Sequence, residues 1–217
     1  MNKRLGYIDA LRGITMILVV FSHVEYFTFG VPYTDSLINS LFVTFRMPLF
    51  FFISGFIAYK NMDWDMTYFL EMLRKKFMVQ ILPTFVFCIL FYMVCMKESL
   101  DSLVEQGPRA YWFTITLFWM FFLYYMTMYL FRNKSDNAKN VFLCLLSVIG
   151  IGVYMGSGLQ WYNLDIFPFH CLSYLSCYFQ FFVLGVMCKK YYPTFVRIVS
   201  SDMVKAAVLL AFIGCFI

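Results

Sequence analysis

Charge is what this sequence has least of. Only 12 of its 217 residues are acidic and 17 are basic. Charged side chains make up 13% of the chain, against about 25% in a soluble domain. Half the usual density leaves too little polar surface to clothe a fold in water. Histidine occurs only at His23 and His170. The seven cysteines (Cys88, Cys95, Cys144, Cys171, Cys177, Cys188 and Cys215) form no C-x-x-C pair and sit in or beside apolar runs. They read as small packing residues, with no disulfide framework and no metal site. No loop has the Walker spacing that cradles phosphate, and Gly156-Ser157-Gly158 lacks the spacing of a nucleophile elbow. There is no internal repeat and no disordered or low-complexity stretch. The first apolar run is too long and too charged to be a removable signal peptide.

What fills the chain instead is apolar. It is 62% hydrophobic, with 28 Phe, 16 Tyr and 15 Met, and its mean hydropathy is +0.75. A membrane span needs about 20 apolar residues. Six runs meet that length, near 8–29, 36–59, 77–96, 111–131, 139–158 and 168–188, and part of a seventh begins at 204–217. The expected fold is all-α, a polytopic transmembrane helix bundle. It reads as a single transmembrane domain over 1–217, and as the front part of a longer one.

The net charge of +5 does not point to nucleic acid, because the cations fall in short clusters between the runs. One set of loops holds Lys3, Arg4, Lys60, Arg74, Lys75, Lys76, Arg132, Lys134, Lys139, Lys189, Lys190, Arg197 and Lys205; the other holds Lys97 and Arg109. Cationic loops stay on the cytoplasmic side, so the N-terminus is expected inside, in the cell membrane. The acidic 101–108 stretch and the 159–167 stretch, with Trp161 and Tyr162 as interfacial aromatics, fall in outer loops.

Two basic residues have no place in this topology. Arg12 lies in Asp9-Ala10-Leu11-Arg12-Gly13-Ile14 of the first run, and Arg46 lies inside the second. An ionisable group at membrane depth costs at least about 2.5 kcal/mol and normally faces a cavity or a partner. His23 is a third anomaly. Eleven residues at about 100° each bring it to within about 20° of Arg12, roughly 16 Å further along one stripe. Asp9, three residues before Arg12, lies near the same stripe and can pair with it. Tyr26 lies near it too, while Glu25 points away toward the outer water. The stripe is a polar ridge, cationic at its inner end and with an imidazole deeper in, suited to proton transfer near neutral pH. The plain alternative is structural: Arg12 reaching to headgroups and His23 bonded to a neighbouring helix. In the second run Pro48 predicts a kink or break beside Arg46, and Ser54-Gly55 would let another helix approach closely.

These residues resemble acyltransferase family 3, integral membrane acyl-CoA-dependent O-acyltransferases. The resemblance is carried by Asp9 to Ile14, by the Arg12-x10-His23 spacing and by Arg46-Met47-Pro48-Leu49-Phe50-Phe51-Phe52-Ile53-Ser54-Gly55-Phe56. Weaker echoes are Trp112 to Leu117 and Phe181 to Gly185. It implies transfer of an acyl group, usually acetyl, from acyl-CoA (acetyl-CoA) to a hydroxyl of a glycan such as a surface polysaccharide. It further implies a catalytic role for His23, and donor binding by Arg12 with Arg46 and Asp9 in the same network. Acyl-CoA is then a co-substrate, and no tightly bound cofactor is expected. The chain departs from the family in Arg74-Lys75-Lys76-Phe77-Met78-Val79-Gln80-Ile81-Leu82-Pro83, where Gln80 stands in place of one arginine. Family members have about ten spans, so the chain reads as a C-terminally truncated member. Two other readings stay open: a transporter or proton-relay protein, since intramembrane His and Arg also mark such paths, and a non-catalytic fragment.

Overall fold

The computed structural model describes residues 6–30, 37–90, 93, 111–158 and 170–206. The stretches expected at 101–108, 159–167 and 207–217 lie outside the described residues. Within them the fold is all-α. Helix α1 spans Gly6–Phe29, α2 Leu37–Ala58 and α3 Met66–Lys76. A π-helical turn at Phe77–Ile81 joins α3 to α4 at Leu82–Leu90. Then come α5 at Trp112–Leu130, α6 at Asp136–Gly158, α7 at His170–Lys190 and α8 at Tyr192–Ser200. Four helices are long and apolar enough to cross a membrane by length and composition: α1, α5, α6 and α7. Outward faces such as Val141, Leu145, Val148 and Ile149 of α6 are exposed and apolar. Hydrocarbon accepts such a surface, provided the backbone is bonded within each helix.

Helix α7 is the centre, packed against α2, α6 and α5. Its crossing with α2 is backbone against backbone. A Cβ on Gly55 would overlap the Phe182 carbonyl, and one on Gly185 would overlap the Phe52 carbonyl and fall 2.8 Å from the Phe56 nitrogen. The glycines are thus reciprocal, each seated on the partner's main chain. Around this contact Phe51, Phe182, Met120, Tyr124 and Leu143 are fully buried. Phe51 stacks on Tyr178 at 5.2 Å and meets Phe113 at 5.3 Å, and Trp112 stacks on Tyr174 at 3.8 Å. Lipid tails are as apolar as these rings, so close packing rather than escape from water holds the helices together.

Helix α1 presents Ile8, Thr15 and Ser22, two turns apart, as its buried seam. Both hydroxyls are satisfied within the helix: Thr15 lies 2.9 Å from the Arg12 carbonyl and Ser22 3.1 Å from that of Leu18. Small self-bonded side chains let α2 come near without leaving polar atoms in hydrocarbon. Helix α2 runs through Pro48 without a break. Of the kink or break expected beside Arg46, the break does not occur, the helix being continuous from Leu37 to Ala58.

The third span also differs from expectation. Helical structure begins at Met66, ahead of the apolar run expected from 77, with Asp65 capping the Tyr68 amide at 2.8 Å. Phe69 stacks on Tyr129 at 5.4 Å and Phe77 meets Phe118 at 6.2 Å, so α3 runs alongside α5. Arg74, Lys75 and Lys76 therefore belong to a helix and not to a loop.

The helices end at different levels. Past the Gly55–Phe182 crossing, α2 has three residues left and α7 has eight. Taken with the second contact, Gly185 on Phe52 and Phe56, α2 stops only a few Å short at about 1.5 Å per residue. The chain after Ala58 turns in against α5, where Trp64 packs on Tyr125 at 5.2 Å. This is the basic end of the bundle.

Gly55→Ala and Gly185→Ala are each expected to lower the unfolding temperature of the detergent-solubilised protein. Overpacking costs about 1–3 kcal/mol even where side chains yield, and main chain yields less. Gly13→Ala meets nothing within 4 Å and should hold or raise it, alanine being preferred inside a helix by about 0.5–1 kcal/mol. Equal melting temperatures for all three variants would refute the crossing as a constraint.

Candidate functional site

His23 is half-buried on α1. Its Nδ1 lies 2.7 Å from the Val19 carbonyl oxygen, one turn back. A carbonyl only accepts, so Nδ1 carries the proton and donates it. In the neutral ring the lone pair then sits on Nε2. The helix backbone thus selects the tautomer whose basic nitrogen is the more distant one.

Arg12 and His23 lie about 60–80° round α1 from the middle of the Ile8–Thr15–Ser22 seam. The ridge flanks the packed seam instead of being consumed by it. Arg12 is exposed and Asp9 half-buried. The ion pair expected between Asp9 and Arg12 is not formed among the described residues. The charge acting alongside Arg12 is another cation, Lys76 of α3. Glu25 does not turn wholly to the outside either: its Oε2 is buried without a hydrogen bond.

Arg46 is buried in α2, 8% exposed. Phe21 of α1 meets Phe42 of α2 edge to face at 6.0 Å, and Arg46 is one turn beyond Phe42. Its guanidinium acts electrostatically on Tyr178 of α7. Arg46 therefore sits where α1, α2 and α7 converge. The structure places Arg12 and His23 at two levels of one ridge, and Arg46 on the adjoining helix.

Sequence reasoning missed Lys76, which it counted among loop charges. Its ammonium lies 3.5 Å from the centre of the Phe121 ring, near the level of the α2–α7 crossing. The charges of Arg12, Lys60 and Lys75 act on it there. Cation–π attraction offsets part of the cost of that placement. A signal was available: Phe69, Met72, Leu73 and Lys76 follow the i, i+3, i+4, i+7 pattern of one helix face. Extending the helix back to Met66 puts Lys76 on its inward side. The π-turn that follows holds Gln80, whose carbonyl lies 2.6 Å from the Thr84 hydroxyl; π-turns recur at functional sites.

A tautomer-selected histidine and a buried arginine on adjoining apolar helices mark a multi-pass membrane protein that carries ionisable groups within its bundle. A family model described as an acyltransferase domain, that of acyltransferase family 3, matches residues 5–217. The chain belongs to that family and is a multi-pass membrane acyltransferase. No curated protein and no solved structure matches it.

Nitrogen NMR of ¹⁵N-histidine-labelled protein, assigned with His23→Gln, should show a protonated Nδ1 and an unprotonated Nε2 for His23 in its neutral form. The opposite tautomer would remove the structural basis for Nε2 as the basic atom.

Proposed function

We propose that this chain transfers an acyl group, in the simplest case acetyl, from acyl-CoA to a hydroxyl of a glycan acceptor. The basic end of the bundle would face the cytoplasm, where acyl-CoA is found, with the N-terminus inside. The observation that carries the reading is the His23 Nδ1–Val19 hydrogen bond, which makes Nε2 the basic atom on an otherwise apolar helix.

In this reading Nε2 takes the proton of the acceptor hydroxyl as its oxygen attacks the thioester carbonyl. The C–S bond breaks, the acyl ester forms, and the proton returns from His23 to the departing thiolate, giving free CoA. Arg12 and Lys76, two cations held near each other on α1 and α3, would attract the donor's phosphates. Arg is suited to this by its fixed fork of donors. Asp9 would steady the start of the ridge. Arg46, buried where three helices meet, would steady charge on the acyl oxygen or the helices around it. The low dielectric at that depth strengthens any such interaction.

His23→Ala is expected to lower acyl transfer about 10²–10⁴-fold, the usual contribution of a general base, while the variant still inserts and folds. Release of CoA from labelled acetyl-CoA in proteoliposomes measures this. Parental turnover in that variant would sink the assignment, and solute flux with no CoA release would favour a transporter. Lys76→Met should stabilise the fold while weakening donor binding. Removing a desolvated cation from the field of Arg12 and Lys60 should raise the melting temperature, and losing a phosphate contact should raise the KM for acetyl-CoA. A variant that is less stable with an unchanged KM would make Lys76 structural.

A further inference from the structure

The amine of Lys76 is placed unlike those of the other lysines at the basic end. It stands 3.5 Å from the centre of the Phe121 ring, in direct contact with the ring face. Lys60 and Lys189 lie farther from their rings, 5.9 Å from Tyr68 and 5.0 Å from Phe56. Lys139 and Lys190 are answered by Asp136, at 3.4 and 3.2 Å. Lys76 makes no hydrogen bond and no ion pair among the described residues. It is the last residue of α3, ahead of the apolar run from 77, and it is half-buried. Its amine is therefore desolvated without being sealed off.

The charges that act on Lys76 are all positive. Arg12 acts from α1, Lys60 from the chain after α2, and Lys75 from α3 itself; no carboxylate appears among them. From α5 it meets the Phe121 ring. Burial first, and then these cations, lower its pKa from the ordinary 10.5 to about 8. A substantial share of the amine is then neutral near neutral pH. A neutral amine has a free lone pair and is a nucleophile, whereas an ammonium ion is not. Lys60 also borders a cavity of about 490 Å³ past the end of α2, which gives a water-borne reagent a way in at this level.

We propose that Lys76, pressed on Phe121 among cations and beside the α1 ridge, is a self-acylation site that takes the donor's acyl group when no hydroxyl acceptor is present. The amine nitrogen attacks the thioester carbonyl. The C–N bond forms, the C–S bond breaks, and the amine proton goes to the departing thiolate, giving Nε-acyl-lysine and free CoA. An amide does not hand its acyl group on to a hydroxyl, so the product is a stop and not an intermediate. Acylation also discharges the cation that stands with Arg12. The modified protein then attracts the donor's phosphates less, and turnover falls when donor is plentiful and acceptor scarce. This rests on acyl-CoA being the donor, so the test separates the two ideas.

The full chain in phosphatidylcholine nanodiscs is incubated with acetyl-CoA and no acceptor, then digested and mapped by mass spectrometry. At pH 8 the Lys76 peptide should gain an acetyl group at least about tenfold faster than those of Lys139 and Lys190, because a lower pKa leaves more of the amine neutral. Its rate should rise with pH and level off above about 8. His23→Ala should be marked like the parent, since a neutral amine needs no general base. Preincubation with acetyl-CoA should raise the parental KM for acetyl-CoA several-fold, whereas Lys76→Arg should keep its own starting KM. Trace acetic anhydride, which needs no donor site, should also select Lys76. Anhydride labelling without that preference overturns the proposal, as does equal acetylation of Lys76, Lys139 and Lys190 by acetyl-CoA. If the parent releases CoA in proteoliposomes while Lys76 stays unmarked, the proposal fails and the donor assignment stands. If anhydride selects Lys76 but acetyl-CoA yields neither mark nor free CoA, the donor assignment fails and takes the proposal with it.

Discussion

Everything in this bundle is positioned by one contact, the crossing of α2 and α7 at Gly55 and Gly185. Each glycine lies against the other helix's main chain, where a single methyl group would overlap a carbonyl. In a bilayer no water drives helices together, so the depth of this approach decides how well the surrounding rings interlock. Phe51, Phe182 and Tyr124 are buried because the two axes come this close. The same contact sets the level of α2 against α7, and so how far short of the basic end α2 stops.

That shortfall has a chemical consequence. A helix that ended level with its neighbours would fill the space now occupied by Tyr59 to Met62. Lys60 lies over Tyr68, and the register of α3 places Lys76 over Phe121, within the field of Lys60. The lysines of this chain therefore fall into two populations. Lys139 and Lys190 close an ion network with Asp136 at the rim. Lys60, Lys76 and Lys189 rest on rings and lead toward the ridge of α1. Counting positive charges by loop merges these populations, because topology depends on how many cations a loop holds and not on where they point.

The candidate site was legible in the sequence where it depended on one helix. Arg12 and His23 fall on one stripe because a helix turns about 100° per residue, and no neighbour alters that. Their surroundings were not legible. Asp9 sits at a spacing that allows a pair with Arg12, yet the pair is not made; side chains on a shared face have several rotamers, and α3 supplies a competing field. Pro48 suggested a break, yet α2 continues through it, since one missing N–H is a local loss and the packing against α7 is distributed. The third span was begun at Phe77 because charge density marks where hydrophobicity ends. Helix α3 buries its inner face despite the charges on its outer one.

By itself, then, the sequence determined the all-helical membrane fold, the four long apolar helices, the ridge of Asp9, Arg12 and His23, and the anomaly of Arg46. These follow from composition and from the fixed periodicity of an α-helix, which is a property of local backbone geometry. Only the tertiary structure decided which side of α1 is packed, how deep Lys76 lies and where α2 leaves a cavity. Those depend on how far rigid helices slide past one another before their side chains meet. That distance is set by pairs such as Gly55 and Gly185, which are remote in the chain and adjacent only in the fold.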